Sequence, residues 1–198
     1  MSMRFQLGFC LAAFTVLGAV ANAQAVLSVD PSVQATTNGS VVTVDVNVSN
    51  VNDLYGYQFD LGFNPSVLQA VSLSEGSFLA TDGSTFFIPG AKDNLAGAVF
   101  ATADTLLAPI SGANGSGALA VFTFDAIGTG TSTFTIQNET LLNSDLNVIS
   151  DRATTGFVTV KSPTIAAPEI EPRSATSALT LLLGSLMMLR GRRVRDAT

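Results

Sequence analysis

From Tyr55 to Phe63 every second residue is large and apolar (Tyr55, Tyr57, Phe59, Leu61, Phe63), and the residues between them, Gly56, Gln58, Asp60 and Gly62, are small or polar. A period of two sustained over this run fits a strand that buries one face and leaves the other open, and it fits no helix. Asn64-Pro65 ends the run, because proline supplies no ladder donor and Asn-Pro favours a reversal. Val67, Leu68, Ala70 and Val71 then restart it, so a strand, a tight turn and a second strand follow one another.

The same alternation and punctuation recur along the chain. Val42, Val44, Val46 and Val48 alternate with Thr43, Asp45, Asn47 and Ser49, and further runs rich in Val, Thr and Phe are separated by Gly, Asn, Asp and Ser. Nine strands are expected, at about 26–31, 40–50, 54–63, 67–74, 84–89, 96–104, 117–126, 131–138 and 154–161. With no helical period among them, the expected fold is all-β: two antiparallel sheets packed face to face as a sandwich, since each sheet must cover its apolar side. The expected inward set is Val44, Val46, Tyr57, Phe59, Leu61, Leu68, Phe100, Phe122, Phe124, Phe134, Ile136 and Val158.

An aromatic alternating strand, an Asn-Pro turn, Val67-Leu68 and a segment closing on Glu75-Gly76-Ser77-Phe78-Leu79 together resemble the cohesin domain, the receptor module that holds dockerin-bearing proteins on bacterial surfaces. The likeness runs from about Val26 to Val160 and takes in GSGALAVFTFDA at Gly115 to Ala126 and TTGFVTV at Thr154 to Val160. It implies a nine-stranded jelly-roll sandwich without catalytic function that binds a dockerin-like protein module. By the same resemblance Gly56, Gln58, Asp60 and Gly62 form the partner-binding face. Gly56 and Gln58 stand where an Asn and an Asp often occur. No cofactor is implied, and any calcium is expected in the partner.

Both ends read as processing segments. Met1 to Ala23 has a basic start at Arg4, an apolar run from Leu7 to Val20 and a small-x-small close at Ala21-Asn22-Ala23, the layout of a secretory signal peptide. The sandwich is expected to occupy 24–161, followed by a Pro/Glu-rich linker at 162–173. Residues 174–198 combine an uncharged apolar stretch, about 24 Å long as a helix, with Arg190, Arg192, Arg193 and Arg195. That is short of the roughly 30 Å hydrocarbon core, so the stretch spans a membrane only marginally, with its arginines on the cytoplasmic side. Pro168, Glu169, Glu171 and Pro172, the apolar stretch and the arginines resemble the PEP-CTERM sorting signal that an exosortase removes, with Ile170-Glu171 interrupting the contiguous motif. The expectation is export to the cell surface or extracellular matrix, with a transient or permanent membrane anchor.

Between Gln24 and Ala167 there are twelve acidic residues against three basic ones (Lys92, Arg152, Lys161), a net charge of −9. Such a surface does not hold a phosphate backbone, so nucleic acid is not an expected partner. The chain has no histidine, and its one cysteine, Cys10, lies in the leader. Histidine-dependent triads, zinc sites and disulfide scaffolds are thereby excluded from the mature domain. Its carboxylates fall mostly on turns and solvent faces, so no enzyme is expected.

Two further stretches draw a functional reading. Leu106, Leu107 and Ile110 surround Pro109 in a loop whose leucines could anchor a partner. Asn143, Ser144, Asp145 and Asn147 alternate oxygen ligands as a calcium loop would, but lack the sixth-position Gly and twelfth-position Glu of an EF-hand, and a polar turn is the expectation. A carbohydrate-binding module of similar sandwich form, or a structural matrix protein, is the alternative function. Sugar rings stack on exposed aromatics, whereas tryptophan is absent and both tyrosines fall on the inward face of their strand.

Overall fold

In a computed structural model, which describes residues 24–164, Val42, Val44, Val46 and Val48 are all buried, and the alternation read from the sequence becomes the inner face of a sandwich. The strands are β1 Ala25–Asp30, β2 Val33–Thr37, β3 Val41–Leu54, β4 Gly56–Gly62, β5 Leu68–Glu75, β6 Ala91–Asp93, β7 Ala98–Thr105, β8 Ala113–Ala126, β9 Gly130–Leu142, β10 Val148–Ile149, β11 Asp151–Ala153 and β12 Gly156–Lys161. A single helical turn, α1 Ser77–Ala80, follows β5. One sheet has five strands in the order β11-β1-β3-β8-β5. The other has seven, β2-β12-β9-β4-β7-β6 with β10 paired to β9.

Aromatic rings connect the two inner faces. Phe59 of β4 stacks on Tyr57 at 5.7 Å between centroids and reaches Phe122 of β8 at 6.1 Å. Phe124 in turn meets Phe63 at 5.1 Å and Phe134 of β9 at 5.3 Å. Each such side chain contributes roughly 1.5–3 kcal/mol by leaving water. The Tyr57 hydroxyl crosses from one sheet to the other and donates to the Leu119 carbonyl at 2.5 Å.

The reversal after β4 is built as its sequence requires. The Asn64 carboxamide oxygen accepts from the Ser66 backbone at 3.1 Å and from its hydroxyl at 2.7 Å, an Asx turn that spends the side chain on the local backbone. The Asn64 N–H donates to the hydroxyl of Ser132, which is buried on the inner side of β9.

The jelly-roll sandwich is as expected, with four differences in detail. The expected first strand, 26–31, is β1, which pairs with β3 in one sheet, and after Pro31 the chain crosses to the other sheet as a further strand, β2. The expected last strand, 154–161, is β12, and a further short strand, β11, precedes it; β11 and β12 run parallel to β1 and β2, so both sheets are mixed rather than purely antiparallel. The stretch 84–89 is no full strand and makes only isolated pairings, Thr85 with Leu106 and Ile88 with Ala103, along the outer edge of β7. Phe100, expected inward, faces out, because β7 carries an extra residue between the pairs Phe59–Thr102 and Leu61–Val99. That bulge turns Val99 inward in its place.

Candidate functional site

Burying Tyr57, Phe59 and Leu61 forces Gly56, Gln58, Asp60 and Gly62 onto the outer face of the seven-stranded sheet, between β9 and β7. Neighbouring threonines crowd the two glycines. A Cβ on Gly62 would lie 2.6 Å from the Thr135 hydroxyl, and one on Gly56 would lie 3.2 Å from both the Thr105 hydroxyl and the Asp104 carbonyl. Gly56 is covered by these groups, whereas Gln58 is exposed.

Asp60 sits between two bulges. Besides the extra residue on β7, β9 carries one between the pairs Gln58–Thr140 and Asp60–Gln137. The displaced residues Ala101 and Asn138 have positive φ, 56° and 51°. One Asp60 oxygen accepts the Ala101 N–H at 2.7 Å and the other accepts the Asn138 side-chain amide, also at 2.7 Å. Both carboxylate oxygens are thus engaged in holding the two bulges.

On the Gly56 side of Asp60 the face sinks into a cleft of about 280 Å3. Its floor is Gly56 and Gln58, and its walls include Tyr55, Phe86, Ile88 and Leu146. Phe86 is 59% exposed and Leu146 67%, so these walls are apolar surface open to water. Phe86 and Ile88 stand there because their backbones bond to β7, the Phe86 N–H to the Thr105 carbonyl and the Ile88 N–H to the Ala103 carbonyl, each at 2.8 Å. Leu146, at φ 62°, is carried on a turn in which the Asn143 side-chain oxygen accepts the N–H groups of Asp145 and Asn147. Ser144 donates its hydroxyl to Asp53 at 2.8 Å, and Gly112 donates its N–H to the same carboxylate at 2.7 Å. These bonds, Ser144's first, hold Asp53 below the usual carboxylate range.

On the Gly62 side lies a second recess of about 550 Å3, lined by Phe100, Thr131, Thr133, Thr135 and Gln137 among others. It is polar where the first is apolar. No lysine or arginine lines either one.

Beneath the apolar cleft, on the inner side of β7, lies a buried acid. Asp104 is 3% exposed; one of its oxygens accepts the Thr105 N–H at 2.8 Å and the other is buried without a donor. Glu75 of β5 acts on it through its charge, and Thr85 donates its hydroxyl to Glu75 at 2.5 Å. Burial, and then the Glu75 charge, push Asp104 up to about 7. Burial and these two carboxyls also raise the Tyr57 phenol.

The family model for the cohesin domain matches residues 27–160. The chain belongs to the cohesin domain family. The non-cellulosomal cohesin of Archaeoglobus fulgidus is similar to it in fold, with 16% identity, a TM-score of 0.56, and coverage of 73% of this chain and 96% of that one. A type II cohesin from the cellulosome of Acetivibrio cellulolyticus is similar at 15% identity and TM-score 0.57, covering 68% of this chain and 95% of that one. So is a Clostridium thermocellum cohesin, OlpA, solved in complex with a dockerin, at 13% identity and TM-score 0.58 over 70% of this chain and 99% of that one. Among curated protein sequences none matches.

In this cohesin domain the four residues expected on the outer strand face do share that face, with Gln58 the most accessible. Leu106 is not available as an anchor: it is 2% exposed, because it continues the inward phase of Thr102 and Asp104. Leu107 and Ile110 are exposed, but neither lines the cleft. The polar turn expected at Asn143 to Asn147 is a self-bonded one whose oxygens serve backbone N–H groups and Asp53, and no cluster of three acidic, histidine or cysteine groups that could hold a metal ion occurs among the described residues. The leader and the sorting-signal residues Pro168, Glu169, Glu171, Pro172, Arg190, Arg192 and Arg193 lie outside the described residues. The cleft itself was not foreseen, since its walls come from three separated stretches and only the apolar residues of 84–89 hinted at one of them.

Proposed function

We propose that this domain is a non-catalytic receptor that docks a helix of a dockerin-like partner across the outer face of β9, β4 and β7. The apolar cleft beside Gln58 carries the reading, since exposed Phe86, Ile88 and Leu146 around a glycine floor form a socket for a large apolar side chain. The solved cohesins of Acetivibrio cellulolyticus and Clostridium thermocellum in complex with dockerins support it. The acidic balance of the domain and the absence of cations from both recesses favour a partner whose helix flanks its apolar anchor with lysine or arginine. Calcium belongs to that partner. In this reading Gln58 is a contact residue, Gly56 and Gly62 let the helix approach the sheet, and Asp60 shapes the face.

Export through the leader, exosortase processing at the Pro168 to Pro172 motif, and surface or matrix display through the apolar segment and arginines complete the proposal. Calorimetry with dockerin modules, with and without calcium, tests the binding. Gln58→Arg should weaken it at least tenfold and leave the urea midpoint nearly unchanged, because a long cation would block a face whose two recesses hold no other. Binding to soluble polysaccharide and to no dockerin would replace this reading with the carbohydrate-binding one.

A further inference from the structure

A strand at the edge of a sheet leaves a row of backbone N–H and C=O groups without a neighbour, and edges are commonly blunted by shortness, charge or a covering side chain. Three of the four sheet edges are blunted in these ways. β6 and β11 have three residues each and carry Lys92 and Asp93, and Asp151 and Arg152. β5 is plugged from the β6–β7 hairpin. The Asn94 side-chain oxygen accepts the Ala70 N–H at 2.8 Å, its amide donates to the Ala70 carbonyl at 3.2 Å, and the Lys92 ammonium donates to the Val71 carbonyl. The fourth edge, β2, is five residues long, reads VQATT and has no such cover among the described residues.

The bonds at its two ends show which groups of β2 are open. The Phe157 N–H donates to the Ser32 carbonyl and the Asn38 N–H to the Lys161 carbonyl, each at 2.9 Å. In this parallel pair the even-numbered residues from Ser32 to Asn38 therefore turn their backbone groups to β12, and Val33, Ala35 and Thr37 turn theirs to the open edge. The side chains of these three stand on the exposed outer face. Of their edge groups, the Thr37 carbonyl accepts the Ser40 N–H at 3.1 Å and keeps a second lone pair. Three open positions spaced by two are their own complement. About a two-fold axis at Ala35, an antiparallel second copy sets Ala35 opposite Ala35 and Val33 opposite Thr37, and each pair exchanges N–H···O=C bonds.

We propose that β2 pairs with β2 of a second copy of this chain, joining two seven-stranded sheets edge to edge. Charge favours a like partner at this edge: β2 has none and β12 only Lys161, in a domain of net −9, so two copies meet here without setting acid against acid. The exposed Val33 and Phe157, which are neighbours on β2 and β12, are continued across the axis by Thr37 and Lys161 of the second copy. Each copy has one such edge, so the pairing closes at two. The axis stands perpendicular to the sheet, so both outer faces look the same way and the pair presents two clefts side by side. That last consequence, a receptor with two docking sites, rests on the docking reading above, while the pairing does not.

A five-residue edge buries little area, so the dimer should be reversible, and sedimentation of the full chain, with no partner present, should show monomer giving way to dimer as concentration rises. Ala35→Pro removes an N–H that faces solvent in the single chain, where an edge proline is tolerated, yet deletes both central bonds of the pair. It should weaken dimerisation at least tenfold and leave the monomer folded. Should it fail to fold, Ala35→Lys keeps every N–H and sets two cations opposite each other on the axis, with the same loss expected. In a Cys10→Ser background, a short bismaleimide should join Ala35→Cys chains, which meet on the axis, and leave Ser74→Cys chains, on the plugged β5 edge, single. A monomer at every soluble concentration overturns the proposal, and so does a dimer that the variants at position 35 leave intact. Open-ended growth that Ala35→Lys abolishes would mean a head-to-tail contact and overturns the two-fold pairing. Equal joining of the Ala35→Cys and Ser74→Cys chains overturns it as well.

Discussion

Asp60 separates shape from contact on the outer face, and its removal is the sharpest test of how that face is built. Its carboxylate accepts two bonds of 2.7 Å from residues that sit at positive φ in adjacent strands. A hydrogen bond to a charged group nets about 1.5–3 kcal/mol, and partial exposure places these two near the lower end. Asp60→Ala should therefore cost about 2–4 kcal/mol and lower Tm by on the order of 10 °C. Asp60→Asn keeps one acceptor and loses the other, so it should cost about half as much. Urea unfolding measures both, and hydrogen exchange at Ala101 reports the bulge directly, since its N–H loses its acceptor. Gln58→Ala, one residue pair away on the same face, should stay within about 0.5 kcal/mol of wild type. If Asp60→Ala proves as neutral as Gln58→Ala, with Ala101 exchange unchanged, the two bulges stand without the carboxylate and Asp60 returns to the list of contact residues.

Phe59→Ala should cost roughly 3–5 kcal/mol in urea unfolding, because the ring is fully buried between Tyr57 and Phe122 and its loss leaves a cavity; a cost under about 1 kcal/mol would mean that the core collapses around the gap. The pH profile of stability should have two limbs of opposite sign. Folded Asp104 keeps its proton at pH values where the unfolded chain has lost it, so stability present in acid declines as pH rises from about 3.8 through about 7. Asp53 is shifted downward, so its contribution is present above the ordinary carboxylate value of 3.8 and is lost as pH falls below it. Urea midpoints across pH should flatten on the alkaline side in Asp104→Asn and on the acid side in Asp53→Asn, and a wild-type midpoint that climbs from pH 5 to pH 8 would contradict the assignment for Asp104.

The inner faces were legible because period-two hydrophobicity is written in the side chains themselves. β4 needed nothing beyond its own residues, and Val42 to Val48 likewise. The additional strands β2 and β11 were not legible, since whether the chain remains in one sheet or crosses at Pro31 depends on the partner it meets. Leu106 was readable in hindsight, being in phase with Thr102 and Asp104, but Pro109 and the glycines after it suggested a loop beginning too early. The acid at Asp104 stood in the same inward phase as Phe100 was given, so the signal for a buried carboxyl existed and was outweighed by the expectation that acids face water.

Phe100 shows where reading one strand at a time fails. A bulge is a property of two strands in register, and nothing in AVFATADT marks its position, because Ala101 adopts positive φ without being Gly or Asn. At Asn138 the chemistry was at least permissive, as asparagine tolerates that region. The carboxylate that reconciles both strands comes from a third, β4, through a residue that looked from its own alternation like any solvent-facing acid. Bulges bend and twist the strands that carry them. With one on each side of Asp60, the outer face is recessed toward Gly56 and again toward Gly62 instead of flat. β4 thus decides which side of the sheet faces a partner, while β7 and β9 decide its contour. A loss of binding on changing Asp60 would then report a change in contour, and only Gln58 and the cleft walls can report contact.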